Sequence, residues 1–338
     1  MANDRSVPEK YNGYNVWSYS KLNSYNNCAH GYRLNYIDEP RPKSIQNVYS
    51  FMCTICHDLV EDMQEGKIDI ETALKMFKSR VNDMEIEGFY FTRQVEKDNY
   101  FYSVLDYIKT FKKEEGKFKV EQKEFLELDD KNVLMMFIDL VVQIDNETLG
   151  IYDYKTSSEF KKEDMQKHGR QLIIYAYTLA KRYKKYKKFK LAWFMLKYYN
   201  VTYNKRTKQV YRAKLVSTYQ KQIIKELMKL GVDEIEANSI YCDSLSNNKI
   251  PSQIQHLFEI NPCIIEYEYT QENINEMLDY LNKTINSALS DTEFKHCNIE
   301  DNEHFCKVLC GQRLNCNYLK KYNEEDKDHM NFDEEDLF

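Results

Sequence analysis

The sequence predicts an α/β fold: a mixed central sheet flanked by helices, with helical elaborations and a cysteine-rich C-terminal segment. Three observations predict it. Apolar runs of strand length follow one another at "KFKVEQKEFLELD", "VLMMFIDLVVQID" and "LGIYDYKTS", broken by the turn-like "DDKN" and "DNETLG". A helical stretch from about Met165 to Tyr183 comes next, and then the strand-like "KLAWFMLKYY" and "KQVYRAKLV". Before the first strand the apolar period is that of a helix.

In chain order, Ser18 or Ser20 can cap a short helix that turns Leu22 and Tyr25 inward and ends near Cys28. Val48, Phe51, Met52, Ile55, Leu59 and Met63 share one helical face, which predicts a buried helix. Two more helices are expected over 70–85 and 96–113. After the five strands and their helix, the chain to residue 290 reads as helical. There is no internal repeat and no Gly/Ser linker, so one domain is expected over 1–322. Its core is about 118–215, with a helical part at 14–115 and a helical, cysteine-rich part at 216–322.

Composition narrows the function classes. Hydrophobic residues are 42% and charged residues 30% of 338, enough for a sizeable globular core. No segment approaches the ~20 apolar residues of a membrane span, and "MANDRSVPEK" lacks the apolar core of a secretory signal. A cytoplasmic protein is expected, with no membrane partner. Its nine cysteines are then reduced, which favours metal binding or burial over disulfides. The net charge of -6 is uneven: residues 323–338, "NEEDKDHMNFDEEDLF", hold eight acids and one lysine, and the rest has 47 Lys+Arg against 46 Asp+Glu. That tail reads as disordered, able to dock on a basic protein partner or to mimic DNA. In "KRYKKYKKFK" (181–190) seven bases alternate with Tyr183, Tyr186 and Phe189. The pattern suits a nucleic-acid strand, or equally a solvated helix end with aromatics packed inward.

The chemistry concentrates on two strands. Asp139 lies in the middle of one and Asp153 near the end of the next, so a hairpin brings both carboxylates to one edge. Paired carboxylates hold Mg²⁺ or Mn²⁺. Lys155, two residues on, shares a strand face with Asp153 and can position water or stabilise phosphate charge. His57 and Glu61 project one turn apart from a predicted helix, as do Gln171 and Tyr175.

In this order the motifs resemble those of the RecB-type branch of the PD-(D/E)XK nucleases. "SYSKLNSYNNC" resembles the family's opening S-x-S-x-L-x-x-Y-x-x-C, "ICHDLVE" its histidine helix, "FIDLVVQID" its first aspartate strand, "IYDYKTS" its D-x-K motif and "QLIIY" its Q-x-x-x-Y helix. The resemblance implies that His57, Asp139 and Asp153 ligate the metal with the Tyr154 carbonyl. It makes Lys155 the catalytic lysine, and Gln171 and Tyr175 organisers of the site and contacts of the substrate strand. The family's Gly-x-x-Asp departs here, with Met136 in place of the glycine.

The cysteines resemble those of AddB-type nuclease domains and CRISPR-adaptation nucleases, where one precedes the nuclease motifs and three follow. Cys28, Cys306, Cys310 and Cys316 would then hold a [4Fe-4S] cluster that pins the two ends of the chain, with Cys297 the substitute for Cys306 and zinc the rival metal. Cys53, Cys56, Cys242 and Cys263 are expected to pack. The resemblance implies a metal-dependent DNA nuclease, an exonuclease on single-stranded or end-bearing DNA in recombination, repair or replication. The other reading is a non-catalytic iron-sulfur DNA-binding scaffold subunit. No Gly-x-x-x-x-Gly-Lys-Ser/Thr loop is present, so the chain carries no helicase motor.

Overall fold

The structure, a computed structural model, describes residues 6–158 and 160–324. Its strands are β1 (Asn15–Trp17), β2 (Lys117–Glu127), β3 (Asn132–Gln143), β4 (Thr148–Lys155), β5 (Lys188–Tyr203), β6 (Arg206–Tyr211) and β7 (Phe258–Tyr267). The helices are α1 (Tyr19–Asn27), α2 (Ala29–Tyr36), α3 (Val48–Glu65), α4 (Ile70–Ile86), α5 (Gln94–Lys109), α6 (Met165–Arg182), α7 (Leu215–Thr218), α8 (Gln220–Lys229), α9 (Glu234–Asn247) and α10 (Gln271–Ser290). The acidic segment read as a disordered tail lies outside the described residues apart from 323 and 324. Among the described residues no helix is long and apolar enough to cross a membrane.

The described residues divide into two units, one of 53–122 and 138–269, the other of 6–52, 123–137 and 270–324. The first carries a mixed sheet. β3 and β4 are antiparallel, with Leu140 opposite Tyr152 and Gln143 opposite Leu149, and β4 runs parallel to β5 from Thr148–Lys188 to Lys155–Met195. β6 and β7 both pair with β5 over Tyr199–Tyr203, so they occupy its two edges. β7 also reaches Leu191–Phe194, opposite the stretch that β4 uses, so β4 and β6 share the other edge.

β7 corrects the helical reading of this part of the sequence. Asn261 and Pro262 interrupt its alternation, and its register shifts between Phe194 and Tyr199 of β5. A proline without an N–H is tolerated on such an edge strand, but it hides the strand from a period-two search.

Apolar periodicity gives the helices their inner faces. Met52, Ile55, Leu59 and Met63 of α3 are buried, each such burial worth roughly 1.5–3 kcal/mol. Leu172, Tyr175 and Leu179 repeat the pattern on α6. Gly169 lets α6 come close to β7: a Cβ there would stand 2.2 Å from the Tyr267 ring. Buried Arg212 ties the end of β6 to α5, donating to Asp106 Oδ2 at 3.1 Å and Thr110 Oγ1 at 2.9 Å.

In the second unit Ser18 caps α1 by accepting the Lys21 N–H at 3.1 Å. Leu22 is buried and Tyr25 half-buried. The Cys28 thiol caps α2 through the Gly31 N–H. Thr270 caps α10, whose Tyr280 donates to Asn23 Oδ1 on α1 at 3.0 Å. β1 adds in parallel to the start of β3.

Candidate active site and cysteine centre

One further step along the β3–β4 register places Asp139 opposite Asp153, so both point to the same face with Cβ atoms about 4.5–5.5 Å apart. Both are buried, at 8% and 2% exposure. Asp139 Oδ2 accepts the Tyr154 N–H at 2.8 Å and lies 3.5 Å from His57 Nδ1. Burial raises the Asp139 carboxyl to about 7, and neighbouring Asp153 adds to this while His57 and Lys155 oppose it. Met136 is buried where the family pattern has glycine.

Lys155 stands beside the pair, its Nζ 2.7 Å from Asp153 Oδ2. Burial works against its charge, but Asp153 and Asp139 outweigh burial and hold it protonated. A relay of contacts continues to α6. Lys155 Nζ donates to Gln171 Oε1 at 3.2 Å, and Gln171 Nε2 donates to the Tyr175 hydroxyl at 2.7 Å. The i, i+4 spacing thus fixes the rotation of the Gln171 amide and leaves its carbonyl for the ammonium.

α3 contributes His57 and Glu61. With Glu121 of β2 they form a group whose ligand atoms lie within 4.8 Å of one another. Burial opposes a charge on His57, yet Asp139 and the Cys53 thiol raise it to about 10. Burial together with Glu121 raises Glu61 to about 9. Oxygen donors with one imidazole suit Mg²⁺ or Mn²⁺, and the mutual repulsion of the two glutamates is what a cation relieves.

Glu121 is the residue that sequence reasoning missed. It sits in β2 at φ 45°, a left-handed conformation that is strained for a residue with a Cβ. "KVEQKEF" offers Glu121 and Glu124 alike, with nothing in the sequence to choose between them. Tyr154 places its N–H on Asp139 and its ring edge-on to His57, centroids 6.3 Å apart. Cys53 lies against His57, one turn before it on α3. Cys56 and Cys263 pack as expected, but Cys242 does not: it is exposed on α9, whose inner face is carried by Ala237 and Tyr241.

In the second unit five thiols line one cavity: Cys28, Cys297, Cys306, Cys310 and Cys316. Cys297 Sγ and Cys306 Sγ are 3.6 Å apart. Burial, reinforced by neighbouring sulfurs, raises Cys297, and burial also raises Cys306 and Cys310. Gly31 faces the same space, since a Cβ on it would lie 3.8 Å from Cys28 Sγ and 4.0 Å from Cys310 Sγ. The Cys310–Cys316 loop is held from outside: Ile45 N–H donates to Gly311 O at 2.8 Å, and Arg313 donates to the Ile45 and Gln46 carbonyls. Buried Gln312 donates to Asn35 Oδ1 at 2.8 Å.

The first unit thus falls in a class of α/β folds that gather carboxylates, an imidazole and a lysine at one edge of a mixed sheet, the donor set of metal-assisted hydrolysis. The chain belongs to the PD-(D/E)XK nuclease superfamily, whose family model matches residues 16–318. No curated protein matches it. Among solved structures it is similar to a candidate exonuclease from Eubacterium rectale, with 9% identity, 78% of this chain and 90% of that one covered, and a TM-score of 0.34.

Proposed function

We propose that the protein is a Mg²⁺- or Mn²⁺-dependent DNA nuclease, an exonuclease on single-stranded or end-bearing DNA. The observation that carries this reading is Asp139 standing across from Asp153, with the Lys155 ammonium on Asp153 and oriented by Gln171. Asp139, Asp153 and His57, with Glu61 and Glu121 beside them, are the residues to hold the metal, and the Tyr154 carbonyl joins them in the family pattern. A bound divalent ion supplies charge neutralisation at the phosphate and a more acidic water. Lys155 adds fixed positive charge where the phosphate becomes more negative, Gln171 keeps that ammonium aimed, and Tyr175 keeps the Gln171 amide from rotating.

The test is hydrolysis of a labelled single-stranded oligonucleotide with Mn²⁺ by wild type, Asp153→Asn and Lys155→Met. We expect each variant to lose at least about 100-fold in kcat, as removal of a transition-state charge contact does. Wild-type turnover that survives Asp153→Asn overturns the site assignment. No turnover by wild type favours a scaffold.

The cysteine centre fits a [4Fe-4S] cluster, a structural clasp joining Cys28 to the 297–316 segment. Zinc, which takes four thiolates in a tetrahedron, is the rival metal. Five thiols surround a four-thiolate need, so Cys297 and Cys306 compete for one position. Iron analysis of anaerobically purified Cys297→Ser and Cys306→Ser proteins decides between them: the true ligand's loss removes about four irons per chain.

A further inference from the structure

Rungs of the β3–β4 ladder line one sheet face. Beyond the Asp139–Asp153 position come Val141 opposite Ile151 and Gln143 opposite Leu149. The third rung lies about 13 Å from the first, four residues at ~3.3 Å each. Over the same span α6 advances from Gln171 to Leu179, eight residues or about 12 Å.

At this far end Val141, Gln143, Leu149 and Leu179 floor a groove of about 290 Å³, smaller than most pockets that enclose a ligand, which run to roughly 300–1,000 Å³. Its walls are Lys117, Phe118 and Lys119 of β2 and Tyr183, Lys185 and Tyr186 after α6. The lysines are exposed and the three rings half-buried. Lys185 Nζ sits 4.4 Å from the Tyr186 ring centre, and the two tyrosine rings stand edge to face at 6.5 Å. The basic-aromatic run of the sequence therefore does not turn all its rings into the core. It brings Tyr183 and Tyr186 to a groove on the face that carries Asp139 and Asp153, while Phe189 packs against Tyr269.

We propose that this groove holds the single-stranded nucleic-acid segment running on from the scissile phosphate, its bases against Tyr183 and Tyr186 and its phosphates against Lys119 and Lys185. The inference rests on the nuclease reading above and adds a strand-binding subsite to it. At the 3.4 Å per nucleotide of a stacked strand, the groove begins at Val141, about two nucleotides from the Asp139–Asp153 rung, and its third-rung floor lies about four nucleotides out. Alternating rings and ammonium groups match alternating bases and phosphates, a recognition that tolerates any sequence.

The experiment compares wild type, Lys185→Ala and Tyr186→Ala on three substrates with Mn²⁺: bis(p-nitrophenyl) phosphate, a tetranucleotide and a dodecanucleotide. The small diester reports the metal centre alone. We expect Tyr186→Ala to raise KM for the dodecanucleotide about tenfold, as loss of one stacked base does, and Lys185→Ala to raise it through the lost phosphate contact, with the other two substrates changed less than about twofold. Lys185→Ala also lowers the salt dependence of dodecanucleotide KM by about 0.7 in log–log slope. Lys185 is exposed, so that variant keeps its fold. Unchanged dodecanucleotide KM in both variants, with wild-type turnover of the diester, overturns the subsite. Failure of wild type to hydrolyse even the diester overturns the nuclease reading and the subsite with it.

Discussion

At the scale of residues, the site is a set of charges that burial has made dependent on one another. Glu61 shows this most directly, raised from 4.5 to about 9 by burial and Glu121. A carboxyl raised in this way keeps a proton in the fold that the unfolded chain releases. The stabilisation from that proton is whole below pH 4.5 and is lost as pH climbs through 9. A metal that binds Glu61 must therefore expel the proton. His57, raised to about 10, must give up its proton as well, so we expect Mn²⁺ affinity to rise at least about a hundredfold per pH unit between pH 6 and 8. Calorimetric titration in two buffers of different ionisation heat checks this, with at least about two protons released per Mn²⁺ at pH 7. A binding heat that is the same in both buffers contradicts it. The aspartates and the lysine were legible in the sequence because D-x-K fixes its own geometry on a strand. Glu121 was not, because its left-handed backbone conformation and its approach to His57 and Glu61 are not announced by the alternation of "KVEQKEF".

At the scale of elements, what matters is how closely α6 lies on the sheet, because Gln171 reaches Lys155 from that helix. Gly169 sets the approach, with the Tyr267 ring of β7 where a side chain would be. Gly169→Ala lifts the helix or displaces the ring. We expect a loss of about 1–3 kcal/mol in urea unfolding, the usual penalty of overpacking, and a fall in kcat as the Lys155–Gln171 contact lengthens. Tyr267→Ala in the same chain should recover part of both losses. A Gly169→Ala protein of unchanged stability would show that the ring moves freely. The helix itself was readable from Leu172, Tyr175 and Leu179 at helical spacing, whereas β7 was not, because Asn261 and Pro262 break its alternation.

At the scale of the whole molecule, the carboxylate group lies in one unit and the five thiols in the other. The second is held by local ties, the Ile45–Gly311 bond and the Arg313 contacts among them, and the cluster proposed above would add a long-range one from Cys28 to Cys310 and Cys316. Such a tie removes conformational freedom from the unfolded chain. We expect Cys316→Ser to lose the brown colour and to speed amide exchange in α1, α2 and the 297–316 segment, as measured by mass spectrometry. Gly31→Val should reproduce the loss of colour, since its side chain enters the space between Cys28 and Cys310. Exchange unchanged in a colourless Cys316→Ser protein would remove the structural role. The sequence by itself determined the mixed α/β fold and the order of the first five long strands, and it put forward Asp139, Asp153, Lys155, Gln171 and His57 as candidates, because two- and four-residue spacings on strand and helix are local and rigid. Only the tertiary structure decided that Glu121 joins His57 and Glu61, that five thiols share one cavity, and that Tyr183, Lys185 and Tyr186 line a groove on the face that carries Asp139 and Asp153. These depend on residues far apart in the chain, and no local period records which of them meet.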